Sequence, residues 1–137
     1  MKYYIFVLIF IFSSHLLHAQ SPSYNVVFDL TSGDSTDHQS LIRWLKGISS
    51  SNPDAKLEVV FYGKSLNMIL KDKSVVEADV KELLANKAVA LKVCALAMKR
   101  HQIDKSQLIA GVEVVPDGIY EIITKEREGW GYIKVSH

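Results

Sequence analysis

The chain contains a single cysteine, Cys94. An intramolecular disulfide and any metal centre built on several thiolates are therefore excluded. The other metal-ligating candidates downstream of the leading apolar stretch are His38, His101 and His137, and no two of them stand at zinc-site spacing, so neither a metal nor a cofactor is expected. Charge of one sign is also missing, with 16 Lys and Arg against 15 Asp and Glu. No basic run is present, and a phosphate backbone would find no electrostatic footprint, so nucleic acid is not an expected partner. The longest apolar run, Tyr3 to Leu17, falls short of the ~20 residues that cross a bilayer comfortably.

That run has the character of an export signal. Lys2 is its one charge, and Leu17-His-Ala19 offers a small-residue cleavage site before Gln20. The expected organisation is a signal peptide over 1–19 and a single domain over 20–137. Localisation would be periplasmic or secreted, with no membrane association after signal removal; an uncleaved anchor helix is the competing reading. With Lys2 gone, basic and acidic residues balance. The remaining length suffices for one core and not for two.

Strand-like runs then alternate with segments of helical period, the signature of βαβ units and a parallel sheet. Asn25 to Leu30 is the first expected strand, followed by the polar loop Thr31 to Thr36. Thr36 and Gln39 have capping-box spacing, and Leu41, Ile42, Leu45 and Ile48 form one apolar stripe that ends at Ser49 to Pro53. Leu57 to Tyr62 is the second strand, broken by Gly63. Leu66, Ile69 and Leu70 suggest a short helix, and Val76, Val80, Leu83 and Leu84 a longer one. Ala88 to Val93 is a third strand that gives way at Cys94 to a helix over 95–101. Asp104 to Leu108 reads as one helical turn, Val112 to Val115 as a fourth strand, and Pro116 and Asp117 as the opening of a further helix. Trp130 to Val135 closes the pattern as a fifth strand, placed at an edge by its alternation and by Lys134.

Right-handed crossovers bring the loops after the first four strands to one rim. Cys94 would share that rim with 31–37, 63–67 and 116–118. A thiol there faces the positive end of the next helix, which favours the thiolate. Burial between Val93 and Leu96 would act in the opposite sense.

Five pieces in order, Val59-Val-Phe-Tyr-Gly63-Lys-Ser-Leu66, Val93-Cys-Ala-Leu-Ala-Met98, Ile103, Val114-Val-Pro-Asp-Gly118 and Glu128-Gly-Trp-Gly-Tyr-Ile-Lys134, resemble the DsrE/DsrF-like family associated with intracellular sulfur oxidation and sulfur relay. The resemblance runs from Tyr24 to Lys134. It implies an α/β fold, a three-layer α/β/α sandwich on a mainly parallel five-stranded sheet. It also implies assembly into homo-trimers or hexamers, and sulfur held as a persulfide where a cysteine occupies the position of Cys94.

Two functions from different classes follow. In one, Cys94 carries sulfane sulfur between a donor and an acceptor, with His38, in the first turn of a helix, polarising the ligand or assisting the thiol. In the other, the same rim serves a non-catalytic oligomeric module that binds a small ligand or a partner protein. Thr31, Ser32, Gly63 and Pro116 would line the rim in either case. Met68 and Met98 would either add a soft, sulfur-tolerant lining or simply fill the core. Gly63-Lys-Ser65 has the ending of a phosphate-binding loop, but Glu58 stands where its first glycine would be, so it reads as a turn with a solvated lysine. His101 suits a helix end through the dipole.

Overall fold

A computed structural model of the chain describes residues 23–136. The expected signal segment and its cleavage site lie outside the described residues. Strands β1 (Asn25–Leu30), β2 (Lys56–Phe61), β3 (Val89–Cys94), β4 (Glu113–Val115) and β5 (Gly131–Val135) form one sheet in the order β4-β3-β2-β1-β5. All four pairings are parallel. The helices are α1 (Ser35–Ser51), α2 (Glu77–Leu84), α3 (Ala95–Arg100) and α4 (Gly118–Arg127), with 3-10 turns at Ser65–Ile69 and Lys105–Gln107.

The strand order fixes which helix covers which face. From β1 to β4 the chain steps across the sheet in one direction, so right-handed crossovers stack their helices on one side; the return from β4 to β5 runs the other way and puts α4 on the opposite side. Side chains agree. Val26, Phe28 and Leu30 of β1, Leu57, Val59 and Phe61 of β2, and Val89, Leu91 and Val93 of β3 point into one large apolar core with Leu41 and Leu45 of α1 and Val80 and Leu83 of α2. The alternate residues face α4, where the core is only Val27, Val60 and Ile122, with Tyr62 and Trp130 packed against it. β5 is an edge strand beside β1, as its alternation suggested.

Element ends differ from expectation by a residue or two, for local reasons. Helix α1 starts before Thr36, because Asp34 is its N-cap: the Asp34 carboxylate accepts from the Thr36 amide at 2.7 Å. A charged acceptor takes the cap in place of the Thr36 hydroxyl, and the helix gains a turn's start. Asp117 caps α4 in the expected way, accepting from the Ile119 amide at 2.9 Å. The turn over Lys105–Gln107 is held by a capping box between Asp104 and Gln107. Helix α3 ends at Arg100, with His101 as its C-cap.

Candidate functional site

Cys94 is the last residue of β3 and the N-cap of α3, and its side chain makes no capping hydrogen bond. It is 6% exposed. The roof is α4: a Cβ placed on Gly118 would lie 3.0 Å from Cys94 Cβ and 3.7 Å from its sulfur. Glycine is required there because the helix start must approach β2 and β3 this closely. Helix α3 has six residues, so the dipole expected to favour the thiolate is short.

A cleft of about 220 Å³ nevertheless has Cys94 in its lining, with Tyr62, Gly63, Leu96, Ala97, Arg100 and Ile119 among others. Arg100 is the one fixed cation in that wall. Asp117, also in it, has its carboxylate engaged in capping α4.

Beside the cleft the carboxyl ends of β2, β1 and β5 carry a polar strip. The pairing Phe61↔Val93 places Tyr62 next to Cys94 on the α4 face. Asp29, only 5% exposed, accepts from the Tyr132 hydroxyl at 2.8 Å and from Lys134 Nζ at 3.0 Å. Lys134 Nζ also donates to Thr31 Oγ1 at 2.8 Å and lies 5.6 Å from the centre of the Tyr62 ring. Burial, followed by the Asp29 carboxylate, pushes the Tyr132 hydroxyl up to about 12 and raises that of Tyr62 further. Both phenols are therefore neutral donors at ordinary pH.

One helical turn along α4 from the Gly118 roof lies a second charged group. Lys92 Nζ bridges Glu58 Oε2 at 2.9 Å and Glu121 Oε1 at 2.7 Å. Glu58 is 2% exposed, and its other oxygen finds no hydrogen-bond partner among the described residues. Burial raises the Glu58 carboxyl above its ordinary value in spite of Lys92. Glu121 is less deeply set; burial opposes its charge too, but Lys92 prevails and lowers it. The two carboxylates thus split apart around one ammonium, the deeper one being the weaker acid.

The residues expected at the rim are dispersed. Thr31 belongs to the polar strip, and Gly63, with φ +66°, lines the cleft. Ser32 serves its own loop: its hydroxyl accepts from the Asp34 amide and its carbonyl from the His38 ring at 2.9 Å. His38 is buried, and that bond commits its Nε2–H to the backbone; it is absent from the Cys94 cleft. Met68 and Met98 are buried in the large core and do not line the cleft. Pro116 is exposed just before the Asp117 cap. Ser65 is fully buried, its hydroxyl 2.8 Å from the Leu30 carbonyl and 2.9 Å from that of Tyr62. It ties β1 to β2, in keeping with a turn and not a phosphate loop.

Sequence reasoning missed Asp29, Tyr62, Tyr132 and Lys134 as a group, and missed Arg100. A signal existed: Asp29, Glu58 and Lys92 interrupt strands that otherwise read as buried, and buried charges are kept only where they are paired. Among the described residues no group of three or more His, Cys, Asp or Glu could hold a metal, and no helix is long and apolar enough to cross a membrane.

Comparison with solved structures places the fold. The protein of unknown function MTH1491 from Methanobacterium thermoautotrophicum is 29% identical, with a TM-score of 0.77 over 82% of this chain and 99% of that one. The ychN protein of E. coli superposes with a TM-score of 0.69 at 14% identity, over 82% of this chain and 98% of its own. BT1422 from Bacteroides thetaiotaomicron, a conserved protein of unknown function, gives 0.68 at 15%, over 85% and 100%. Comparison with curated proteins gives no match. The profile of the DsrE/DsrF-like family matches residues 25–135, nearly all of the sheet and its helices. With that match over an all-parallel five-stranded sheet, the chain belongs to the DsrE/DsrF-like family.

Proposed function

We propose that this protein is an exported sulfur carrier that holds sulfane sulfur on Cys94 as a persulfide. The observation that carries the reading is the open cleft that Cys94 lines, in a chain of a family named for sulfur chemistry. A thiolate at Cys94 attacks the outer sulfur of a donor such as thiosulfate. A Cys94 S–S bond forms, the donor's S–S bond breaks, and sulfite leaves with the electron pair, so no separate oxidant is needed. Arg100, in the cleft wall, attracts an anionic donor. An acceptor thiolate then attacks the outer sulfur of the persulfide; the new S–S bond forms on the acceptor and Cys94 leaves as the thiolate.

The Lys2 to Ala19 pattern supports export, to the periplasm or outside the cell. Assembly into a trimer or hexamer accords with the exposed apolar residues Leu96, Ile119, Tyr120 and Ile123 next to the cleft. The second reading, a non-catalytic oligomeric binding module, draws on the near-complete burial of Cys94 beneath Gly118.

Mass spectrometry of the folded protein after exposure to thiosulfate or polysulfide separates the two. A carrier gains the mass of one sulfur atom on the wild type and none on Cys94→Ser. A thiol that neither gains sulfur nor alkylates until the protein is denatured rejects the carrier and leaves the binding module.

A further inference from the structure

The larger cleft of about 440 Å³ does not contain Cys94. It opens on the other side of Gly63, at the carboxyl ends of β1 and β2, and Gly63 is the residue common to both clefts. Two glycines bring its walls together. A Cβ at Gly33 would meet the Lys64 carbonyl oxygen at 3.0 Å, and one at Gly63 would meet the Thr31 carbonyl oxygen at 3.2 Å, so the β1 and β2 loops close on each other only without side chains.

Its chemistry is one-sided. Lys64, Lys73 and His101 line it, Leu66 gives it an apolar floor, and no carboxylate takes part. Among the described residues Lys64 and Lys73 enter no ion pair; Lys56, Lys71, Lys87, Lys99 and Lys105 form none either, but they lie outside this cleft. The acids next in sequence to its lining residues are Asp34, which caps α1, and Asp72 and Asp104, which are exposed; none of them lines the cleft. Two lysines and a histidine thus line one concavity, and among the described residues no carboxylate lines it with them.

We propose that this cleft binds a tetrahedral oxyanion, either free or carried on a small apolar body. Lys64 and Lys73 supply the charge, His101 a ring N–H and Leu66 the contact with the body. The site stands apart from Cys94 chemistry and does not rest on the carrier reading. Where the oxyanion is thiosulfate, the shared Gly63 places it beside the sulfur-transfer cleft; where it is a phosphate group, the cleft serves a separate ligand.

The test is calorimetric titration of the folded chain with inorganic phosphate and, separately, with thiosulfate, with amide NMR shifts to locate binding. Saturable binding is expected, with shifts at Gly63, Lys64, Lys73 and His101. Each of Lys64→Gln and Lys73→Gln should weaken it about tenfold, the worth of one charge-assisted hydrogen bond. Lys56→Gln/Lys87→Gln, which removes two exposed charges outside the cleft, should leave the affinity unchanged. Absence of saturable binding, shifts elsewhere, or equal weakening by the control pair would overturn the proposal. The same titrations on Cys94→Ser keep the two ideas apart, since oxyanion binding should persist where sulfur transfer cannot.

Discussion

On the side of the sheet covered by α1 and α2, the three inward residues of β1 are Val26, Phe28 and Leu30. On the side covered by α4, the same strand presents Val27 and Asp29. The difference repeats in β2 (Leu57, Val59 and Phe61 against Glu58, Val60 and Tyr62) and in β3 (Leu91 and Val93 against Lys92 and Cys94). One face is continuously apolar and gains its stability from area removed from water. The other alternates apolar and charged groups under a single helix and carries Asp29, Tyr62, the Lys92 cluster and Cys94, while Arg100 reaches the cleft from α3. Strength and reactivity have been divided between the two sides of one set of strands.

Substitutions can break that comparison. The largest expected effect is on the thick face: Phe28→Ala, which also loses the stacking of Phe28 on Trp44 at 6.5 Å, should cost about 3–5 kcal/mol. It should appear as a lower urea midpoint with unchanged slope. On the thin face Lys92→Met should cost about 3 kcal/mol, since it strands two carboxylates that share one ammonium. The combined change Glu58→Leu/Lys92→Met/Glu121→Leu should recover most of that loss, because the charges then disappear together. If the triple variant is no better than the single one, the thin face depends on its ion pairs more than on packing. Asp117→Ala should remove about 1 kcal/mol through the lost cap of α4. It should also speed alkylation of Cys94, since the capped end is the roof over the sulfur.

The smallest effect concerns alkaline pH. The hydroxyls of Tyr62 and Tyr132 are raised above the ordinary 10.0, that of Tyr132 to about 12. A raised group contributes stability that is complete below pH 10 and is lost as pH climbs through its folded-state value. Urea midpoints should therefore fall between about pH 10 and pH 12 in the wild type. The fall should be shallower in Tyr62→Phe and Tyr132→Phe. An unchanged alkaline limb in both variants would remove the phenols from the thin face's balance of charge.

Most of the framework was legible because it depends on local pattern. Leu41, Ile42 and Leu45 recur at helical spacing, Gly63 and Pro53 end elements, and Asp117 follows Pro116 as a cap. Strand positions agreed to within a residue for the same reason. The polar strip was not legible, since Asp29 meets Tyr132 from 103 residues away and only the β1–β5 pairing brings them together. His38 shows the opposite failure. Its place in the first turn of α1 was correctly expected, but whether its ring faces ligand or backbone depends on how the 31–34 loop folds back over it. The thiol was found by being alone, while its depth depended on Gly118, whose missing side chain says nothing until α4 is docked.

The pairing of β1 with β5 has a consequence for the order of folding. Until β5 has been synthesised, one long edge of β1 is unpaired, and the α4 face has neither its strip nor a complete roof over Cys94. Such distant pairing makes closure slow relative to helix formation. Under the export proposed above, delay would be an advantage, because a sheet that cannot close early stays threadable. It is also a liability, because the open β1 edge can accept a strand from another copy. The thiol is thus shielded only in molecules that have completed the sheet, and its resistance to modification would serve as a clock for the final step of folding.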